Sequence, residues 1–510
     1  MKEKQKKILS TVVCCLLLFA LFMASWKFLM RKGSYEKNED FYSYDKDYDV
    51  LFLGTSHVVM GVSPMELWNE YGIVSYNLAN HGQWLPVDYW VLKNALNYTR
   101  PKLIVLDIRA IDINNNKVSP EHALQTHQSF DRMPLGKTKL EAVYDLFPKG
   151  ERMEYLFHFS IYHTRWKELD STFWEKASPS TEKGANLDST DRFEEARIFE
   201  VPPVKIISKK KMNLEETIGK EYLRKIIELC KEEKIDLLLT SLPYYPNAGY
   251  QEWLNSAQVI ADEYGVPYFD MITEDMFVNP YIDFFDEDHL NSSGAKKATR
   301  AIGEYLKSHY DLTDWREDEE TAADWNKDYK DYEDFKLEWL KSQKSLDTYL
   351  MLLFDKSYDA VIEIYNTRIW KDTRYANLFE NLGVDLNQVT EDTDCVVIGK
   401  GGETVDLIEN FHDSEGVTET GIGPLCLFID EMDEENNVKS YGVYIDDEKR
   451  YAAGVGENVD IRILVLDKES LKTKDYVTFS YSVKKQKGFK LTLNAMNGIP
   501  IEEEEEKGKK

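Results

Sequence analysis

The sequence contains no Cys-x-x-Cys pair and no Cys/His spacing suited to zinc, so its five cysteines point neither to a dithiol redox motif nor to a structural zinc site. Cys14 and Cys15 fall in an apolar run, and Cys230 in a helix-like run where a buried thiol is the default. Cys395 and Cys426 fall in strand-like runs, where a disulfide in an oxidising compartment competes with two buried thiols. A basic stripe is missing too. The formal charge is −28, from 91 acidic against 63 basic residues, which argues against a polyanion such as nucleic acid as the main partner. The one basic cluster, Lys209-Lys210-Lys211, reads as a solvated segment beside a helix, and the closing Glu502 to Glu506 run with Lys507, Lys509 and Lys510 as a frayed tail. Beyond the N-terminus, no stretch is long and apolar enough to span a bilayer.

The N-terminus does have such a stretch. Lys2, Lys4, Lys6 and Lys7 precede "ILSTVVCCLLLFALFMASWKFLM", which at about 1.5 Å of rise per residue is long enough to cross a hydrocarbon core. The four lysines favour an N-in orientation, softened by Lys27, Arg31 and Lys32 on the other side, so the rest of the chain is expected outside the cytoplasm. "FMASW" is a poor small-x-small cleavage site, which favours an uncleaved anchor over a signal peptide.

At 510 residues the chain exceeds one typical domain, and two folded units plus extras are expected. From residue 48 to about 310, short apolar runs alternate with amphipathic segments. "YDVLFLG", "IVSYNL", "KLIVLDI", "IDLLLTSL" and "VPYFD" read as strands, the third so continuously apolar that it suits a parallel sheet buried on both faces. "SPMELWNEYG" reads as a helix with a capping box, Ser63 at the N-cap, Pro64 first in the helix, Glu66 as reciprocal acceptor and Gly72 closing it. Helices are also predicted over "VDYWVLKNALNY", "EYLRKIIELCKEE", "QEWLNSAQVIADEYG" and "GAKKATRAIGEYL". Alternating strand and helix means α/β, a doubly wound parallel sheet, with chemistry gathered at the C-terminal strand ends.

Ser56, in "LFLGTSHVVMG", lies just beyond the first of those ends. A serine alone usually caps a turn; a nucleophile needs a base. "DFFDEDHLNSSGAKK" supplies His289 three residues after Asp286, a spacing that lets the carboxylate hold Nδ1–H and leaves Nε2 for the serine proton. Asp283 and Asp288 remain alternative orienters, or the acidic group binds a cation, although no regular ligand spacing is present. His57 and His81 stay off the catalytic set, since neighbours at a strand end point apart.

Gly54-Thr55-Ser56 after strand one, Gly82 in "NLANHGQ" after strand two and Asp286-x-x-His289 before the last helix resemble, in the same order, three blocks of the SGNH/GDSL hydrolase superfamily. With its anchor the chain is similar to the membrane-anchored cell-envelope branch that includes the teichoic-acid D-alanyl-transfer protein, and to exopolysaccharide O-acetyltransferases. The resemblance covers about residues 45 to 310 and implies an SGNH-like three-layer sandwich. It implies Ser56 as nucleophile, His289 as base, Asp286 as orienter, and the N–H groups of Ser56 and Gly82 as an oxyanion hole. The superfamily usually supplies a further asparagine after strand three, where this chain has "VLDIRAID". Asp107 cannot donate, so Arg109 or one of Asn114, Asn115 and Asn116 would act, or that donor is missing. A membrane-bound O-acyltransferase as donor partner and a glycan or teichoic-acid-like substrate follow from the same resemblance, with no cofactor or metal.

An insertion, 112–212, is rich in His, Arg, Tyr and Trp and suits either a small helical subdomain or a carbohydrate surface, with His163 and Arg165 in "YHTRW" as the acceptor-binding candidates. The expected organisation is an anchor over 1–32, the α/β domain over 45–310, an acidic connector and helix over 311–356, a mainly β accessory domain over 357–500 and the charged tail 501–510. The connector carries eleven acidic and three basic residues from Asp311 to Asp334 and reads as solvated or as a polar helix face. The accessory part resembles the FAM3-like domain of extracellular and carbohydrate-associated proteins. The function expected is serine-dependent acyl transfer to or from a cell-envelope or secreted glycan; a glycan esterase with the same triad and a non-catalytic assembly protein are the alternatives.

Overall fold

The apolar N-terminal run forms a helix, Glu3–Leu29 (α1). The computed structural model describes residues 3–30, 37–44, 46–114, 123–157, 159–168, 183–185, 197–365, 367–389, 395–409, 416–432, 438–445, 448–454, 459–482 and 488–494. Asn115, Asn116 and the tail 501–510 lie outside the described residues. Within α1, Gln5–Ser25 is long and apolar enough to cross a membrane, and none of that window is buried against the rest of the molecule. A helix satisfies its own backbone groups, as hydrocarbon surroundings demand. The next helix, Lys37–Ser43 (α2), is pinned by Lys37, whose buried Nζ donates to the carbonyls of Asn77, Ala79 and Gly184.

The chain then runs through Val50–Leu53 (β1), Ser56–Gly61 (α3), Pro64–Tyr71 (α4), Ser75–Asn77 (β2), Leu85–Ala95 (α5) and Leu103–Asp107 (β3). The described part of the insertion is helical: Ala123–Phe130 (α6), Lys137–Leu146 (α7), Arg152–Leu156 (α8), Phe159–Tyr162 (α9) and a 3-10 turn, His163–Glu168. Ile218–Glu233 (α10), Asp236–Ser241 (β4), Ala248–Tyr264 (α11), Tyr268–Asp270 (β5) and Ser292–His309 (α12) complete the unit. The five strands are parallel in the order β2-β1-β3-β4-β5. Strand alternation sorts the side chains by layer. Val50, Phe52 and Val105 pack with Val59, Leu67 and Ile302 of α3, α4 and α12. Leu51, Ile104 and Leu239 face Val91, Ile226 and Ala257 of α5, α10 and α11. The chain leaves β1 for one neighbour and returns to β3 on the other side, which opens a crevice beyond the C-terminal ends of those two strands.

The capping of α4 differs from expectation in one half. Ser63 Oγ accepts from Glu66 N (3.3 Å) and Gly72 closes the helix at φ +66°. Glu66 does not return the bond, because Ser63 N already donates to Thr299 Oγ1 (2.9 Å) and the carboxylate is drawn to Lys336 Nζ (3.2 Å). Lys336 lies on Glu319–Ser342 (α13), the acidic segment. Its acids face water, while Trp325, Tyr332, Lys336 and Leu340 form a buried stripe, so this helix is packed onto the α/β unit.

Leu346–Leu353 (α14) leads into ten strands: Tyr358–Ile364 (β6), Cys395–Lys400 (β7), Glu403–Glu409 (β8), Gly416–Thr420 (β9), Gly423–Met432 (β10), Val438–Ile445 (β11), Glu448–Gly454 (β12), Ile461–Asp467 (β13), Thr473–Ser482 (β14) and Gly488–Asn494 (β15). A helix, Thr373–Asn381 (α15), follows β6. The antiparallel sheets β15-β14-β13-β6-β7-β8 and β12-β11-β10-β9 meet through Val396, Ile398 and Leu464 against Leu425, Val443 and Ile445. The other face of the larger sheet buries Tyr349, Leu350, Leu378 and Phe379 from α14 and α15. Cys395 and Cys426 are buried on strands of different sheets.

The two units share a joint. Ile282 of the α/β unit sits in the same core as α14 and α15, Asn279 Nδ2 donates to Asn377 Oδ1 (2.7 Å), and Asn381 Nδ2 to Ser293 Oγ (3.0 Å). Asp355 takes Lys296 Nζ (2.6 Å) and Lys336 Nζ (2.9 Å) with almost no exposure of either lysine's partner. Burial opposes the charges, but the lysines outweigh it and hold Asp355 well below the usual carboxylate range; Asp355 and Glu66 likewise hold Lys336 above its own. Removing one member of such a set costs about 3–5 kcal/mol, because a buried charge is left alone. Asp355→Ala leaves Lys296 without a carboxylate and Lys336 with Glu66 alone, and is expected to lower unfolding free energy in urea by that amount. Lys296→Met, which leaves Asp355 and Glu66 both paired with Lys336, is expected to cost less, and equal losses would contradict this account.

Candidate active site

Ser56 is presented by a tight strand-to-helix turn. Gly54 has φ +141°, and a Cβ there would meet Val58 Cγ2 at 2.8 Å and Asp107 Cβ at 3.0 Å, so the turn requires glycine. Thr55 caps α3 and Ser56 is its first residue, beyond the C-terminal edge of the sheet. The apolar residues that follow, Val58, Val59 and Met60, are buried because α3 lies back on the sheet and on α12.

His289 comes from the segment between β5 and α12, which is closed on itself. Phe284 pairs with Leu290 in an antiparallel bridge, and Phe285 N donates to His289 O (2.8 Å). Asn291 caps α12 by accepting from Ser293 N (3.1 Å) and Gly294 N (3.2 Å), while its amide donates to the carbonyls of Ile282 (2.6 Å), Phe284 (3.2 Å) and Arg197 (3.1 Å). Asp283 lies fully buried beneath, accepting from Lys297 Nζ (2.6 Å), Ser293 Oγ (2.8 Å) and Asn279 N (2.6 Å). It therefore supports the loop and does not reach the histidine. Asp286 does: both its oxygens lie 2.9 Å from His289 Nδ1. Burial would raise Asp286, but the His289 hydrogen bond and charge, with the N–H groups of Asp288 and His289, hold it down at about 2. An ionised carboxylate only accepts, so Nδ1 carries the proton and Nε2 is an acceptor. Ser56 Oγ lies 2.7 Å from that Nε2.

A cleft of about 220 Å³ opens beside Ser56 and His289, walled by Gly82, Trp84, Arg109 and Tyr250. Gly82 has φ +61°, again a glycine conformation. Among the described residues the backbone N–H groups of Ser56 and Gly82 donate to no protein acceptor. The loop carrying Gly82 is tied to the insertion, where Ser129 Oγ donates to Gln83 Oε1 (2.7 Å).

Asp107 accepts from Arg109 N (3.0 Å) and Leu242 N (3.0 Å), stitching β3 to the end of β4; burial raises it to about 6. Arg109 reaches into the cleft. Its guanidinium lies 4.2 Å over the Tyr244 ring, Nη2 is 3.2 Å from Asp288 Oδ2, and Nη1 is buried with no partner among the described residues. Asp288 is thus spent on Arg109, leaving Asp286 as the carboxylate at His289. Asn114 lines a different surface hollow, beside Thr217 and Glu221, and not this cleft.

The structure does not bring His163 and Arg165 to this cleft. Arg165 Nη1 donates to Leu29 O (2.8 Å), at the end of the anchor helix, because the turn His163–Glu168 packs against α1. The pair Arg109–Asp288 with Tyr244 and Tyr250 was not assembled by sequence reasoning. Its available signal was "SLPYYPNAGY", an aromatic cluster just after the C-terminal end of β4, where an α/β sheet gathers its site residues. His57 is likewise part of the wall: its ring centre is 4.9 Å from that of His289, and Nε2 is buried without a partner at normal hydrogen-bond geometry among the described residues.

No family model matches the chain, and no curated protein matches it. Among solved structures it is similar to a protein of Bacteroides fragilis NCTC 9343 assigned provisionally as an acylhydrolase, at 11% identity and a TM-score of 0.28, over 55% of this chain and 99% of that one.

His57 and His81 are both held below the ordinary imidazole range, first by burial; Arg109 and His289 add to this for His57, and Lys37 and His289 for His81, which falls to about 4. In the unfolded chain each titrates near 6.5, so at intermediate pH the unfolded state binds more protons and stability rises with pH. This contribution is complete above about pH 6.5 and is lost as pH falls, through about 4 for His81. Asp286 acts in a lower window, losing its contribution only between about 3.9 and about 2. The urea midpoint is expected to drop between about pH 7 and about pH 4, and to drop less in His81→Gln. Superimposable pH profiles for the two proteins would remove His81 as a source.

Proposed function

We propose that this chain is a membrane-anchored, extracytoplasmic serine acyl-transfer enzyme acting on a cell-envelope or secreted glycan. The observation that carries the reading is the hydrogen-bonded line from Ser56 Oγ to His289 Nε2 (2.7 Å) and from Nδ1 to Asp286 (2.9 Å). Ser56 Oγ attacks the acyl carbonyl while Nε2 takes its proton. The N–H groups of Ser56 and Gly82 receive the developing oxyanion, each such donor being worth about 2.7–4 kcal/mol in comparable sites. Arg109 Nη1 is the candidate for a further donor. Collapse of the tetrahedral intermediate expels the alcohol, which regains the proton from His289, and leaves an acyl-serine. A glycan hydroxyl, deprotonated by the same Nε2, then attacks the acyl carbonyl, and the acyl–Oγ bond breaks as Ser56 Oγ takes that proton back from His289. A cleft of about 220 Å³ suits a small acyl group such as acetyl better than a long chain.

In this reading α1 lies in the membrane N-in, with a membrane-bound O-acyltransferase as the acyl donor's source and no cofactor or metal at the serine. One observation favours hydrolysis as a second outcome. Ser56, Asp286 and His289 are all partly exposed, so water reaches the acyl-serine unless an acceptor fills the cleft. An esterase uses the same residues.

The full chain in detergent or nanodiscs is expected to react with a fluorophosphonate at Ser56, and Ser56→Ala to lose the label. Asp286→Asn should keep the fold but lower turnover of an activated acetyl ester by a factor on the order of 10³ to 10⁴, since His289 then loses its orienting charge. Undiminished labelling of Ser56→Ala would end the nucleophile assignment, and an unreactive wild type would favour a non-catalytic assembly role.

A further inference from the structure

We infer that the insertion presents a membrane-docking surface, formed by α7, α8 and the turn His163–Glu168, which rests on the same bilayer that holds α1. The inference depends on reading α1 as a membrane anchor.

The turn is fixed to the anchor where the anchor leaves the apolar window. Leu29 and Met30 are buried against Tyr162, with Ile161 beside them, and Arg165 Nη1 satisfies one of the carbonyls that the last turn of α1 leaves open. Leu29 lies four residues beyond Ser25, about 6 Å further along the helix, which is the depth of lipid headgroups. Side chains on this turn and on the helices packed behind it therefore meet the bilayer surface. Those side chains are of the kind that prefers it. Trp166, next to Arg165, is 59% exposed, Met153 on α8 is 59% exposed, and Leu140 and Tyr144 on α7 are exposed as well. In water these are costly neighbours, and α7 packs on α8, α8 on α9 and α9 on the turn, so they belong to one connected block.

Cations accompany the aromatics. Lys167 Nζ lies 5.7 Å from the Trp166 ring and the Arg152 guanidinium 4.5 Å from the Tyr144 ring. Residues 132 to 168 carry seven Lys and Arg against five Asp and Glu, in a chain whose formal charge is −28. An acidic protein that keeps a basic, Trp-bearing and apolar block beside its anchor is complementary to an anionic leaflet at that block and repelled elsewhere.

The test uses the full chain carrying Cys14→Ala and Cys15→Ala, in nanodiscs of mixed phosphatidylcholine and phosphatidylglycerol, with nitroxides placed singly through Met153→Cys, Trp166→Cys, Phe19→Cys in the anchor and Lys307→Cys on α12 across the sheet. Accessibility to oxygen and to a water-soluble nickel chelate reports lipid or water at each label. We expect labels at 153 and 166 to favour oxygen severalfold more than the label at 307, and less than the one at 19. Labels at 153 and 166 that match 307 while 19 reports lipid would overturn the docking surface and leave the anchor intact. Labels there shielded from both reagents would mean a protein partner or second copy on this face, which also overturns it. Water access at 19 would remove the anchor reading and the proposal with it.

Discussion

The site depends on one side-chain amide. Asn291 begins α12 with its carbonyl oxygen and closes the preceding segment with its NH₂, which serves the carbonyls of Ile282, Phe284 and Arg197. Without that clamp the strand-like closure of Phe284 on Leu290 has little to hold it, since a single bridge in water is marginal. With it, Asp286 and His289 are fixed on a short turn, and the only freedom left to the imidazole is rotation about its own bonds. Asp286 removes that freedom by taking Nδ1 with both oxygens. Ser56 needs no comparable device, because Gly54 and the cap of α3 set its direction from the rigid end of β1.

Much of this frame was legible in the sequence because its determinants are local. The apolar runs of β1, β3 and β4, the Ser63 cap, the Gly72 stop and the amphipathic period of α10 and α12 each act within one turn or one strand. That a residue after β1 and one before α12 meet follows from a rule about strand ends, and needs only that both segments be assigned. The pairings that cross the chain were not legible. Glu66 has a good local reason to bond Ser63 and a stronger distant one in Lys336. Arg165 is as plausible beside a substrate as at the end of α1, and nothing in "YHTRW" tells which. Arg109 and Asp288 are separated by most of the α/β unit, so no spacing rule joins them.

Charge is arranged with a purpose in this acidic molecule. Most of the excess carboxylates face water, where they cost little; Asp283 and Asp355 are buried with lysines, Lys297 for the first and Lys296 and Lys336 for the second, whereas Asp88 and Asp107 are buried on amide and backbone N–H donors and are raised by burial. The histidines near the cleft are treated the opposite way. His57 and His81 are kept neutral by burial and by nearby cations, whereas His289 is held on the Asp286 carboxylate.

The joint between the two units gives the β-rich half a share in placing the histidine turn, which it does not touch. Ile282, one residue before Asp283, is roofed by α14 and α15, and Asn381 reaches Ser293 in the first turn of α12. A fragment that ended at the acidic helix would bare an isoleucine directly behind the histidine turn and give water a way under it. The boundary that composition draws near residue 311 is therefore a seam in the sequence only. In mechanical respects the chain beyond it is the back wall of the front half.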